Sequence, residues 1–156
     1  MSIERVRAYF EPLGMGDRIM EFEVSSATVE LAAQALHTEG KRIAKTLSFK
    51  KDEGCMLILM AGDCKIDNRK FKDRFAMKAK MLTPEEVDQM VGHSIGGVCP
   101  FGVPEGVDVY LDVSLRRFET VFPAAGSANS AIEMNMEELF TYSKALDWVD
   151  VGKDWE

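Results

Sequence analysis

Apolar and polar positions alternate along this chain in two rhythms, and the first is helical. Ile3, Val6, Phe10 and Leu13 recur at helix-face spacing, and Gly14 and Gly16 follow as stops, so a first helix is predicted to end near residues 12–16. A short strand is predicted over residues 21–24. Ser25 and Ser26 then offer hydroxyls to cap a second helix whose inner face carries Val29, Ala32, Ala33 and Leu36. After a turn at residues 41–44 the rhythm changes to that of strands. Residues 46–49 and 55–60 are β-prone and flank Lys50-Lys51-Asp52-Glu53-Gly54, which predicts an antiparallel hairpin whose second strand is apolar enough to be buried on both faces. Asp67 is placed to cap a helix with Phe71 and Phe75 inside and Arg69, Lys70, Lys72 and Arg74 outside. Thr83-Pro84-Glu85-Glu86 has the form of a capping box with proline at the first helical position, and Gly92 provides the stop.

Further strands are predicted over residues 107–112, 119–122 and 131–134, followed by a helix from Met136 to about Leu146 capped by Asn135 with Glu138 three residues on. Six or so short strands interspersed with helices, in an order too irregular for a doubly wound sheet, give an α+β (mixed α/β) fold: a mixed, curved sheet with helices packed outside. The length of 156 residues fits a single domain spanning 1–156. No repeat, low-complexity tract or proline-rich linker marks an internal boundary.

Composition narrows the class without choosing a function. With 46% hydrophobic and 29% charged residues the chain is that of a folded globular protein. It lacks an apolar run long enough to span a membrane, and residues 1–11 carry charges where a signal peptide would be apolar, so the expected compartment is the cytosol. Cys55, Cys64 and Cys99 form no Cys-x-x-Cys pair, and His37 and His93 are not at ligand spacing from them, so neither a disulfide framework nor a metal site is expected. The net charge of -7 conceals an asymmetry: residues 41–80 hold twelve Lys and Arg against five Asp and Glu. A basic stretch in an acidic protein suits a phosphate-bearing ligand, or is a solvated helix face.

Dinucleotide, phosphate-loop, serine-hydrolase and zincin signatures are all missing. What stands out is Gly92-His93-Ser94-Ile95-Gly96-Gly97-Val98-Cys99-Pro100-Phe101-Gly102. Consecutive amides at Gly96 and Gly97 could face a phosphate or a developing oxyanion, though a glycine-rich segment is also what a tight turn needs. A second small, polar segment runs Pro123-Ala124-Ala125-Gly126-Ser127-Ala128-Asn129-Ser130. Lys45 stands between apolar Ala44 and a predicted strand; desolvated there it would be a strong local charge for a carbonyl or phosphate oxygen, or else it snorkels from the strand end. His93 reads as a hydrogen-bonded loop residue or a base, and Cys99 as a small buried hydrophobe or a nucleophile.

In this order, Ala44-Lys45-Thr46-Leu47, the Gly92 to Gly102 segment and Ala125-Gly126-Ser127-Ala128-Asn129-Ser130-Ala131-Ile132-Glu133 resemble the YbaK/EbsC family, which includes the editing insertion of bacterial prolyl-tRNA synthetases. The resemblance spans roughly residues 24–139. It implies a partly barrel-like sheet surrounded by helices, and a cytosolic trans-acting deacylase that hydrolyses the ester between a wrong, small amino acid and the 3' end of a tRNA. No metal or organic cofactor is implied, and a prolyl-tRNA synthetase is a candidate partner. The family's essential lysine falls on Lys45 with Thr46 beside it, its paired glycines on Gly96 and Gly97, and its later glycine loop on Gly126, Ser127 and Asn129. Pro100, Phe101 and Gly102 are expected with that loop to bound the amino-acid pocket. Several members carry tyrosine where this chain has His93, which puts that contact and the substrate choice in question. No Asp or Glu is assigned as general base. Two rivals are weighed: a non-catalytic tRNA or aminoacyl-binding module on the same scaffold, and a Cys99 thiol enzyme with His93 as base.

Overall fold

In the computed structural model, which describes residues 2–93 and 97–155, the core is built on one long hairpin. Strands β2 (Ile43–Lys51) and β3 (Gly54–Ala61) pair antiparallel from Ala44↔Ala61 to Lys51↔Gly54, with Asp52 in the left-handed region at the turn. Every residue from Met56 to Ala61 is fully buried, as the unbroken apolar run requires. Around this pair lie β5 (Asp108–Asp112), β6 (Thr120–Pro123), β8 (Met134–Asn135) and β9 (Asp147–Val149), giving a curled six-stranded half-barrel in the order β8-β6-β2-β3-β5-β9. Two small pairs complete the β structure: β1 (Ile19–Glu21) with β7 (Ser130–Ile132), and β4 (Lys65–Ile66) with β10 (Gly152–Lys153). The mixed α+β class and the partly barrel-like sheet are thus as the sequence indicates.

Helix α1 (Ser2–Phe10) packs through Phe10 against Phe101 and Tyr142, with ring centroids 4.9 and 6.1 Å apart, and Tyr142 closes α5 (Met136–Tyr142). Helix α2 (Val29–Leu36) lays Ala32 and Ala33 against Ile43 and Phe122. Helix α3 (Asn68–Phe75) is capped by Asp67 and inserts Phe71 against Phe49, while α4 (Pro84–Met90) has the Thr83–Glu86 capping box in full.

Three local expectations shift. The first strand lies at residues 19–21 rather than 21–24. The cap of α2 is Thr28, whose Oγ1 accepts from Leu31 N, because Ser26 is held by the carbonyl of Ala128 through both its amide (2.6 Å) and its hydroxyl (3.3 Å). Helix α5 stops at Tyr142: Lys144 turns left-handed at φ 56°, and Leu146 N donates to Val109 O at 2.8 Å, directing the chain into β9. The tail strands β9 and β10 were not expected. Asp112, fully buried, holds that tail by accepting from Val151 N and Ser114 N at 2.9 Å each.

One gap in the sheet positions the site. Strand β2 pairs with β6 only at Ile43↔Phe122 and Ala44↔Pro123. Farther along, the same edge is covered by the 80–82 segment, through Leu82 N to Ser48 O at 3.2 Å and Lys50 N to Lys80 O at 2.8 Å. Between these two coverings, Lys45, Thr46 and Leu47 have β3 on one side and, among the described residues, no strand on the other.

Candidate functional site

The gap opens into a cleft of about 260 Å³. Lys45, Thr46 and Ser48 of β2 form its floor; Ser26, Thr28, Val29 and Ala32 come from α2 and the segment before it. Met81, Leu82 and Val87 close one end, and Val98, Ala124, Ser130 and Ala131 bring in the two glycine-bearing segments. Its walls are therefore mostly small or apolar, with hydroxyls and one ammonium as polar groups. Among the described residues the lining holds no carboxylate and no imidazole.

Lys45 is half-buried, and burial is the main cause that pulls its ammonium below the ordinary lysine range, with Cys64 and Asp63 opposing weakly. It forms no ion pair or hydrogen bond with any described residue. The Oγ1 of Thr46 is buried and likewise unpartnered. Two adjacent residues on a strand thus present unspent polar groups in the cleft, an arrangement that folding alone disfavours.

The glycine segments meet back to back. A Cβ built on Gly97 would lie 2.6 Å from Ser127 N and 2.7 Å from the carbonyl carbon of Gly126, so even a methyl group has no room there. The Gly126 loop is itself pinned. Gly126 is left-handed at φ 97°; Ser127 Oγ lies 2.7 Å from Ser130 Oγ and 2.9 Å from Asn129 Oδ1; and Asn129 Nδ2 donates to Phe22 O at 3.0 Å. Gly126, Ser127 and Asn129 shape the loop, and its flanks Ala124 and Ser130 reach the cleft. Gly96 lies outside the described residues.

The rest of the glycine-rich segment goes elsewhere. Pro100 and Phe101 are buried, and the Phe101 ring packs tilted against Phe10; Gly102, at φ 69°, packs against Arg5 of α1. Where the sequence reading sets these three at the pocket's edge, the structure has them fastening the loop to α1, outside the cleft lining. His93 is fully buried as well. Its Nε2 is 2.9 Å from the carbonyl of Phe101, burial pushes the imidazole below its ordinary range, and Nδ1 has no partner among the described residues. The ring therefore anchors the loop from inside, as a neutral donor to Phe101.

Cys99 is fully buried 3.6 Å from that ring, and burial pushes its thiol up to about 12, which leaves almost no thiolate at neutral pH. Full burial outside the cleft lining speaks against the thiol-enzyme alternative. Iodoacetamide applied to the native protein should leave Cys99 unmodified, and any activity intact; rapid labelling of Cys99 by peptide mass mapping would show the loop to be open. The sequence reading missed the contribution of residues 26–29. Its one available signal was Ser26, apolar-flanked in the fold by Ala27 and held to the Gly126 loop at Ala128.

A half-barrel with a cleft at its split edge, floored by a lysine and walled by two glycine loops, defines a small-ligand pocket on an α+β scaffold. Residues 23–142 match the aminoacyl-tRNA editing domain, and the chain belongs to that family. It is 52% identical over its full length, and that of the relative, to the uncharacterized protein YwhH of Bacillus subtilis (strain 168). It is also 31% identical over 77% of its length to the proline--tRNA ligase of Geobacillus sp. (strain WCH70), of which it spans 22%. A crystal structure described as a candidate trans-editing enzyme for prolyl-tRNA synthetase superposes with a TM-score of 0.87 at 31% identity, covering 97% of both chains. No helix among the described residues is long and apolar enough to cross a membrane, and no group of three or more His, Cys, Asp or Glu among them could hold a metal ion.

Proposed function

We propose that this protein is a cytosolic trans-acting deacylase that hydrolyses the ester of a small amino acid wrongly attached to the 3' end of a tRNA. The observation that carries this is the convergence of Lys45 with both glycine segments on one small, mostly apolar cleft free of acids and imidazoles among its described lining. Such a cleft suits a reaction that needs little general-base power. An aminoacyl ester is already activated, so positioned water and stabilised charge suffice.

In this mechanism the Lys45 ammonium holds the substrate's carbonyl or terminal phosphate oxygen, and backbone amides at Gly96 and Gly97 stabilise the tetrahedral oxyanion. Water, oriented by the free ribose hydroxyl next to the ester, attacks the carbonyl carbon. The C–O bond to the ribose breaks, the ribose oxygen takes up one of the water's protons, the other passes to solvent, and the amino acid leaves as its carboxylate. Thr46 Oγ1 offers a hydrogen bond to the bound aminoacyl group. Size supplies selection: one methylene is worth only about 1–3 kcal/mol in a synthetase pocket, so a second, smaller pocket adds the discrimination that the first lacks. The candidate substrates are the esters of alanine, serine and cysteine, small groups suited to a compact and mostly apolar cleft.

Release of the amino acid from a panel of tRNAs mischarged with alanine, serine, cysteine, valine and leucine tests this. Turnover confined to the small esters is the expected result. Binding of the same tRNAs without turnover would instead identify a non-catalytic aminoacyl-tRNA module. The chain's likeness to part of a proline--tRNA ligase makes a prolyl-tRNA synthetase the candidate partner and its tRNA the first to try.

A further inference from the structure

The excess of positive charge in residues 41–80 is largely neutralised once the chain folds. Lys41, Arg42, Lys50, Lys51, Lys70 and Arg74 all meet carboxylates, those of Glu39, Glu133, Glu86, Asp108, Asp150 and Asp147 respectively. Most of these acids come from the other, acidic parts of the chain. What remains is concentrated. Arg69 and Lys72, one turn apart on α3, line a groove with Lys78 and Ala79, and Lys80 follows on the exposed side of the same segment. None of these four cations has an acidic partner among the described residues. Two acids lie nearby, Asp67, whose Oδ1 accepts from the amides of Arg69 and Lys70, and Asp73; neither is ion-paired with any of the four cations among the described residues.

The groove and the cleft draw on neighbouring parts of one segment. Lys78 and Ala79 line the groove, while Met81 and Leu82 line the cleft. Two residues of extended chain, about 7 Å, separate Ala79 from Met81. Met81 is 55% exposed at the cleft's end of this segment. A set of unpaired cations borne by the segment that also lines a small pocket is complementary to a polyanion that ends in a small group.

Resting on the deacylase reading of the cleft, we infer that Arg69, Lys72, Lys78 and Lys80 form the track that holds backbone phosphates of the RNA acceptor strand while its aminoacylated 3' end occupies the cleft. Each phosphate held by a lysine or arginine releases counterions, so binding must weaken steeply with salt. In a protein of net charge -7 the track also orients the approach, because the surrounding surface repels RNA.

The test is charge reversal of an unpaired pair, Lys72→Glu with Lys78→Glu, using as probe an uncharged RNA acceptor-stem hairpin with a single-stranded 3' end. Affinity should fall roughly tenfold or more, and the slope of log K against log salt should shrink by about 2. The double arginine variant, Lys72→Arg with Lys78→Arg, should bind as the wild type does. Lys70→Glu provides the contrast: its ammonium is already committed to Asp150 and to the Gly152 carbonyl, so the salt slope should change little. A reversed pair that keeps both affinity and slope, with unchanged circular dichroism, overturns the track; so does a wild type that fails to bind the hairpin. The two readings separate in a second assay. Hydrolysis of an aminoacyl-adenosine ester, which lacks the phosphates, should be equal in wild type and reversed pair. Absence of that hydrolysis in the wild type would count against the deacylase reading while leaving the RNA-binding result to stand or fall by itself.

Discussion

Lys45→Ala should lower deacylation of every mischarged tRNA by about 100- to 1000-fold, the usual loss when a preorganised charge aimed at a developing oxyanion is removed. The ammonium is half-buried on β2, has no ion pair among the described residues, and lines the cleft. Its burial in that position costs stability, because desolvation disfavours the charged form. The sign of that cost is fixed. With its pKa lowered in the folded state, Lys45 binds its proton more weakly there than in the unfolded chain, so stability contributed by this group rises as pH climbs through the window between the lowered value and 10.5. At neutral pH, Lys45→Met should therefore be at least as stable in urea as the wild type while sharing the inactivity of the alanine variant. Activity should run the other way in the wild type: background-corrected turnover should decline as pH passes upward through the lowered lysine pKa, and that limb should be missing from the residual rate of Lys45→Met. Full turnover by either variant would remove Lys45 from the chemistry; lost turnover accompanied by lost stability would make it a structural residue.

Much of the fold was legible because strong local signals and the tertiary structure agree. The hairpin forms, with its reversal tightened from residues 50–54 to Asp52 and Glu53, and the Asp67 cap and the Thr83 and Asn135 capping boxes form as read, since each cap is closed by side chains within a few residues of its backbone partner. The errors lie where a distant partner decides. Ser26 has a cap residue's chemistry, but the Ala128 carbonyl claims it from 102 residues away. Strands β9 and β10 are only three and two residues long, and exist because β5, β4 and the buried Asp112 accept them. The site divides in the same way. Lys45 and the glycine segments could be nominated from composition and order, whereas the unpaired stretch of β2 that makes a cleft of them depends on β6 leaving after Ala44, which no local pattern announces. Half of the glycine-rich segment proves to be a structural turn on α1, the plainer of its two readings.

Gly97→Ala should be the most damaging single methyl group that can be added near the cleft. The methyl is objectionable for what it meets. It meets main chain: Ser127 N at 2.6 Å and Ser127 Cα at 2.7 Å, in a loop that Ser130, Asn129 and Phe22 hold in place. A flexible side chain could swing aside; two backbones in contact must move apart together. Overpacking of this kind costs about 1–3 kcal/mol of stability. A displacement of about 1 Å in a positioned group costs a further factor of roughly 100 in rate, so turnover should fall by at least that much even at temperatures where the variant is fully folded. Gly106→Ala is the control. Gly106 is left-handed at φ 93° with nothing within 4 Å of its would-be methyl and does not line the cleft, so alanine there should destabilise by about 1–2 kcal/mol through backbone strain alone and leave turnover intact. Comparing the two variants at equal stability isolates the contact from the strain. If Gly97→Ala matches Gly106→Ala in turnover, the touching of the two loops does not matter to catalysis, and the oxyanion site must be sought elsewhere along the unpaired edge of β2.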